Sequence, residues 1–238
     1  MDATYQAIVD GKHNDPFAVL GVHREGDQRV VRVFEPGARS VSLLDRSGRE
    51  RAVMDVAHPG GVFAAPLPPR LRAWRLGVTG ADGTYWERED AYRFPSTLGD
   101  LDLYLLGEGS HADLYRKLGA HVTRLFGVKG VVFAVWAPNA SRVSVIGDFN
   151  HWDGRRHVMR LHPGNGIWEI FVPEIDTGAH YKFEMLDGQE KLLPFKSDPV
   201  GQYHEAPPGN ASVVFDSRHR WGDDAWMARR SSNPALNE

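Results

Sequence analysis

The chain has no cysteine, which excludes disulfide staples and thiol chemistry and agrees with a reducing compartment. It has no apolar run long enough to span a bilayer, and its N-terminus lacks the apolar core of a secretory signal. It also lacks a strong charge of either sign. A formal net charge of −3 gives no electrostatic drive toward nucleic acid or an anionic membrane, so neither is expected as a partner and the expected location is cytoplasmic. The eleven histidines form no H-x-x-x-H array, and there is neither a phosphate-binding loop of the G-x-x-x-x-G-K-[ST] type nor a G-x-S-x-G nucleophile elbow. No metal and no cofactor are expected. Carboxylates are plentiful, but most lie in turns or polar loops, where a solvated surface acid is the commoner case.

What the chain does have is one pattern twice. Val31-Arg32-Val33-Phe34-Glu35-Pro36-Gly37-Ala38-Arg39-Ser40-Val41-Ser42-Leu43-Leu44 returns as Phe133-Ala134-Val135-Trp136-Ala137-Pro138-Asn139-Ala140-Ser141-Arg142-Val143-Ser144-Val145-Ile146, with Pro36 and Pro138 102 residues apart. A repeat of that length is a whole domain rather than a solenoid unit. Further anchors follow in the same order: Gly61-Val62-Phe63 and Gly166-Ile167-Trp168, Leu67-Pro68 and Val172-Pro173, Trp74-Arg75-Leu76 and Tyr181-Lys182-Phe183, Asp82-Gly83 and Asp187-Gly188. The lead-in Asp15-Pro16-Phe17-Ala18-Val19-Leu20-Gly21 has a looser echo in Asp113-Leu114-Tyr115-Arg116-Lys117-Leu118-Gly119. With 238 residues, 42% of them hydrophobic, each copy has enough chain to bury its own core.

Each copy reads as short strands. Residues 28–34, 40–45, 61–65 and 71–78 are rich in branched and aromatic side chains, and Pro, Gly and Asp turns separate them. The second copy has matching runs at 131–137, 142–147, 167–172, 180–186 and 211–215. Residues 2–11 predict a helix stopped by Gly11, and Pro16 opens a second helical turn. Between the copies, Leu98, Leu101, Leu105 and Leu106 predict one helical stretch, and Leu114, Tyr115, Leu118 and Val122 another. No helices alternate with the strands, so the expected class is all-β: two tandem immunoglobulin-like β-sandwiches joined by a partly helical connector. The expected divisions are 1–105, 106–221 and a linker at 222–238.

The sharpest motif is Gly147-Asp148-Phe149-Asn150-His151-Trp152-Asp153-Gly154, directly after a strand. An indole face covers the apolar face of a sugar ring while nearby polar groups take its hydroxyls, so the loop suits a carbohydrate platform. It equally suits a loop that tucks its aromatics under the sandwich edge. Phe149 is expected inside, and Trp152 fits either role. Lys182 lies between Tyr181 and Phe183 and so faces away from them, where its ammonium suits sugar hydroxyls or plain solvent. The candidate sugar contacts are Trp152, Lys182 and Asn150. Trp136, Trp168 and Trp74 are assigned to the cores, and Trp221 and Trp226 to anchoring the tail on the second copy or on a further domain.

The run from Gly147 to Arg160, together with Val135-Trp136-Ala137-Pro138-Asn139-Ala140, Gly166-Ile167-Trp168-Glu169, Tyr181-Lys182-Phe183-Glu184-Met185 and Lys196-Ser197-Asp198-Pro199, resembles the bacterial 1,4-α-glucan (glycogen) branching enzymes. Tyr92-Arg93-Phe94 and Leu103-Tyr104-Leu105-Leu106-Gly107-Glu108-Gly109-Ser110-His111 are similar to the same family. The resemblance implies that the second copy is a family 48 carbohydrate-binding module and the first a diverged copy. It also implies a parent enzyme that moves α-1,4-glucan chains onto 6-hydroxyls, using two carboxylates on a (β/α)8 barrel. A barrel alone takes about 250 residues. The chain is therefore expected to be a non-catalytic N-terminal fragment that supports the barrel, binds α-glucan or glycogen weakly and carries no catalytic residue; the alternatives are purely structural modules that bind no sugar, or a glucan-targeting regulatory module. Relatives of the module use a Trp at the position of Trp152 and a Lys at that of Lys182. They carry a second Trp where this chain has Gln189-Glu190, and an Asn where it has Ser212. One aromatic without a partner implies affinity on the order of millimolar.

Overall fold

The two copies of the repeat fold as two pairs of β-sheets in the computed structural model, which describes residues 2–230. After helix α1 (Asp2–Val9), the first copy contains β1 (Gly21–Glu25), β2 (Gln28–Phe34), β3 (Ala38–Leu44), β4 (Glu50–Val53), β5 (Asp55–His58), β6 (Val62–Pro66), β7 (Arg75–Gly80) and β8 (Tyr85–Arg88). Helix α2 (Asp100–Glu108) lies in the connector. The second copy contains β9 (Gly119–Leu125), β10 (Val128–Trp136), β11 (Arg142–Gly147), β12 (Arg160–His162), β13 (Ile167–Pro173), β14 (His180–Leu186) and β15 (Ser212–Val213). The sheet orders are β1-β2-β6-β5 and β4-β3-β7-β8 in the first copy, and β12-β13-β10-β9 and β11-β14-β15 in the second. The paired strands are antiparallel.

The repeat is also a repeat of register. Val33 pairs with Phe63 in the first copy and Val135 with Trp168 in the second. Leu43 pairs with Leu76, and Val145 with Phe183. These residues point between their sheets, because alternate side chains of a strand share a face. They form two separate cores, one around Val31, Val33, Leu43, Phe63 and Leu76, the other around Phe133, Val135, Val145, Trp168 and Phe183. Gly61 and Gly166 explain why the Pro–Gly pairing recurs. Both have positive φ, +106° and +69°. A Cβ on Gly61 would sit 2.8 Å from Pro36 Cα, and one on Gly166 2.6 Å from Pro138 Cα, so only glycine lets the strand start cross so close to the proline turn.

The two sandwiches are locked together. Glu35, with a side chain only 2% exposed, lies 3.0 Å from Arg88 Nε, an ion contact out of hydrogen-bond alignment, and 3.7 Å from Arg156 Nη1 of the second copy. Arg156 also donates to the carbonyl of Pro36. The buried Tyr92 hydroxyl accepts from the Val158 amide at 3.1 Å. The Glu174 carboxylate receives Arg75 at 2.7 Å and the Glu89 amide at 3.0 Å. The stretch 91–98 runs across the second copy: Ala91 joins its main core, and Phe94 packs with Val132 and Phe171. Thr97 and Ser96 hydrogen-bond to the buried Glu169 carboxylate. Burial pushes the Glu169 pKa up, but hydrogen bonds from His162, Ser96 and Thr97 outweigh it and hold the carboxyl below its ordinary value.

Several local expectations change. The helix expected over 114–122 is a single 3-10 turn at Leu114–Arg116 followed by β9, because β10 pairs with 119–125 and takes their backbone groups. Residues 224–230, expected as linker, form helix α3 (Asp224–Arg230), and 231–238 lie outside the described residues. Trp168 and Trp74 are buried as expected, but Trp136 is 62% exposed. It ends β10 on the face opposite Phe133 and Val135, and its Nε1 donates to the Asn165 carbonyl at 3.0 Å. A strand apolar on both faces gives no alternation from which to tell the sides apart. Trp221 and Trp226 anchor nothing among the described residues: they are 79% and 51% exposed, with His219 and Arg230 against their rings.

Candidate functional site

The loop after β11 is built to hold one indole in place. Asp148–Asn150 form a 3-10 turn, after which His151 and Trp152 both adopt positive φ, 57° and 59°. Two consecutive non-glycine residues in that region cost on the order of 1 kcal/mol each and need support from their surroundings. The support is visible. Trp152 N donates to the Gly147 carbonyl at 2.9 Å, and Gly154 has no room for a Cβ because Glu184 Oε1 would lie 2.0 Å from it. Arg155 clamps both oxygens of Asp153, at 2.9 and 2.8 Å. Phe149 is half-buried as expected, its ring 6.0 Å from Phe133.

Asn150 has a different role from the one expected. It is 2% exposed, and its side chain is fully used: Oδ1 accepts from the Gly147 amide at 3.0 Å, and Nδ2 donates to the Val145 carbonyl and to His157 Nδ1, both at 2.9 Å. An amide so placed cannot reach a sugar and instead pins the loop. His157 is buried, and desolvation, reinforced by Arg88 and Arg156, pushes its pKa down to about 3, so it stays a neutral acceptor for Asn150.

The Trp152 indole is half-buried, and its Nε1 donates to Asp148 Oδ1 at 2.9 Å. Asp148 Oδ2 lies 3.6 Å from His180 Nδ1, whose Nε2 lies 3.6 Å from Glu205 Oε1. His180 and Lys182 occupy alternate positions of β14, about 7 Å apart along the strand. They face away from the core, into which Tyr181 and Phe183 are buried. Trp152 and Lys182 are therefore brought to one outer face, linked through Asp148 and His180. Lys182 Nζ donates to Asn210 Oδ1.

Asn210 is the residue that the strand pattern missed. Ser212, the expected polar contact, is wholly buried and its Oγ accepts from the Asp198 amide at 2.8 Å, while Asn210, two residues earlier, is exposed beside Lys182. The preceding Pro207-Pro208-Gly209 marks a turn, but no local pattern ties Asn210 to Lys182. Gln189 and Glu190 are exposed at the Asp187 turn, so no second aromatic stands at that position. With one indole face, one ammonium, an exposed amide and two carboxylates flanking an imidazole, the surface offers stacking and hydrogen bonds to a polyol. Among the described residues, no group of three or more His, Cys, Asp or Glu is placed to hold a metal ion, and no helix is long and apolar enough to cross a membrane.

Two family models match the chain. Residues 1–92 match the family model described as the N-terminal domain of the α-1,4-glucan branching enzyme GlgB, and residues 117–201 match carbohydrate-binding module 48, described as the isoamylase N-terminal domain. The chain joins a branching-enzyme N-terminal domain to a family 48 carbohydrate-binding module. Over 97% of its length it is 53% identical to the 1,4-alpha-glucan branching enzyme GlgB of Rubrobacter xylanophilus and 49% identical to GlgB 2 of Rhizobium johnstonii. It spans only 32% and 31% of those relatives, about a third of their length. A solved pullulanase of Bacillus subtilis overlaps 84% of the chain and 27% of its own length at 15% identity with a TM-score of 0.37, too low a similarity to carry an argument. The carbohydrate-binding module holds the Trp152–Lys182 face, and the GlgB-type domain supplies the sandwich locked against it.

Proposed function

We propose that this chain is the α-glucan-binding and bracing part of a glycogen branching enzyme. In this reading the outer face of β11 and β14 takes an α-1,4-glucan through Trp152 and Lys182, with Asn210 beside them and Asn150 as the positioning residue beneath. Both sandwiches support the remaining two-thirds of a protein that transfers α-1,4-glucan chains to form α-1,6 branches in the cytoplasm. The chain by itself transfers no glucan and has no assigned catalytic residue.

The observation that carries the reading is the pinned Trp152 indole, linked through Asp148 to His180 on the face that presents Lys182. A side chain held this way has lost its freedom before the ligand arrives, which lowers the entropic cost of binding. Titration with maltoheptaose tests it. The expected outcome is a dissociation constant on the order of millimolar, raised roughly tenfold in Trp152→Ala, as expected for losing about 1.4 kcal/mol of stacking. An unchanged constant in that variant overturns the site. No signal up to tens of millimolar favours the competing reading, in which the modules are purely structural.

A further inference from the structure

An exposed tryptophan, Trp136, lies on the sheet of the second sandwich opposite Trp152, and the internal repeat makes its exposure informative. In the first copy the outer end of β2 carries Phe34. That ring is 5% exposed, because α1 lays Tyr5 and Ile8 over it and its neighbour Val62. Trp136 holds the same repeat position on β10. Helix α2 packs nearby, with Leu103 and Leu106 against Ile167, yet Trp136 stays 62% exposed. Where the first copy closes the face with a helix, the second leaves a groove of about 800 Å³.

The groove is rigid and mixed in character. Trp136 Nε1 donates to the Asn165 carbonyl at 3.0 Å, and Asn165 is itself tied by Nδ2 to the Leu103 carbonyl and by Oδ1 to the Ile167 amide, both at 3.3 Å. The wall is thus set before any ligand arrives. Leu106 and Leu118 supply apolar lining, while Glu108 and His111 bring polar groups to it. Glu108 Oε1 accepts from the Tyr104 hydroxyl at 2.6 Å, and its Oε2 has no hydrogen-bond partner among the described residues. An apolar protein segment seated here would strip water from that carboxylate without replacing it, which is unfavourable. A pyranose ring has the complementary character, with C–H faces for the indole and hydroxyls that donate to Glu108. The volume lies within the usual range of about 300–1,000 Å³ for small-ligand sites.

We infer that the Trp136 groove is a second α-1,4-glucan site, on the sheet opposite Trp152, and that the module engages two chains of one branched glucan. This rests on the reading that the module takes α-glucan at all. Two weak sites on opposite faces gain from a multivalent ligand in a way that a single short chain does not reveal.

The test is maltoheptaose titration of the 238-residue chain, reading the indole N–H resonances of Trp136 and Trp152 separately by NMR, with cellohexaose as the β-linked control. Both resonances are expected to shift with maltoheptaose. The Trp136 shift should persist in Trp152→Ala with its dissociation constant unchanged, and that constant should rise at least threefold in Glu108→Gln. A Trp136 resonance that stays still while that of Trp152 moves overturns the second site and leaves the first intact. Movement of Trp136 alone sustains the second site and removes the Trp152 assignment. Stillness of both overturns both. An equal response to cellohexaose overturns the α-glucan assignment of the groove.

Discussion

The two sandwiches share a frame and differ in what is hung on it. After β3 the first copy turns back in a few residues, with Asp45 Oδ1 accepting from the Ser47 and Arg49 amides at 2.9 and 3.2 Å. After β11 the second copy runs through the Asp148–His157 loop, with its pinned indole. The outer faces differ in the opposite sense, since the first is closed over Phe34 by α1 and the second is open at Trp136. Inward residues keep their size and register between copies because a close-packed core penalises every change of volume. Loops and outward positions carry no such penalty, so that is where one copy carries the candidate binding loop and the other a short turn.

The comparison can be broken hardest at the cores. Trp168→Ala in the second copy should cost about 3–5 kcal/mol, and Phe63→Ala at the paired position of the first a similar amount. Thermal unfolding followed by circular dichroism checks both. Costs that differ severalfold would mean that the frames are not equivalent. Next in size is the lock between the copies. Glu35→Ala leaves Arg88 and Arg156 facing each other without their carboxylate and should cost about 3 kcal/mol. Calorimetry should then resolve two transitions where one is expected for the unaltered chain, and a single unshifted transition would show that the sandwiches are coupled elsewhere.

A smaller effect separates the loop's anchor from its platform. Asn150→Ala removes three buried hydrogen bonds and should cost about 2 kcal/mol, whereas Trp152→Ala should cost less than about 1 kcal/mol while weakening glucan binding. Urea denaturation measures the two, and equal costs would make Trp152 a structural residue.

In the unaltered chain the smallest net effect is a pH balance beside the lock, because two opposed contributions nearly cancel. Burial pushes the Asp90 pKa up to about 6, so its contribution to stability is complete below its ordinary 3.8 and is lost as pH rises through about 6. His157 runs the other way. Its contribution is complete above its ordinary 6.5 and is lost as pH falls toward about 3. The two offset each other between about pH 4 and 6. Relative to the unaltered chain, Asp90→Asn should lose up to about 1.4 kcal/mol per pH unit on acidification across that range, and His157→Gln should gain as much. Parallel stability curves for all three proteins would remove both assignments.

Much of this was legible in order along the chain. The repeat predicted paired sandwiches, and β2, β11 and β14 begin and end where their apolar and branched runs do. The edge strands β1, β4, β5, β8 and β12 escaped notice, since edge strands are short and half-polar and carry little apolar signal. Within the candidate site, the outward placement of Trp152 and Lys182 was legible, one from its loop and the other from its place between two core aromatics. Asn210 was not, because it meets Lys182 across 28 residues of chain with no regular period between them.

By itself the amino-acid sequence determined the two cores and their register. Those depend on side chains a few residues apart along one strand and on a close crossing over the proline turn that only glycine allows. Only the tertiary structure decided which outward residues are covered. Asn150 went in because His157 and two backbone groups were there to meet it. Phe34 went in because α1 folded over it, and Trp136 stayed out because α2 did not. Alternation tells a residue which face it is on. Whether that face meets water depends on a segment far away in the chain, and no local pattern encodes it.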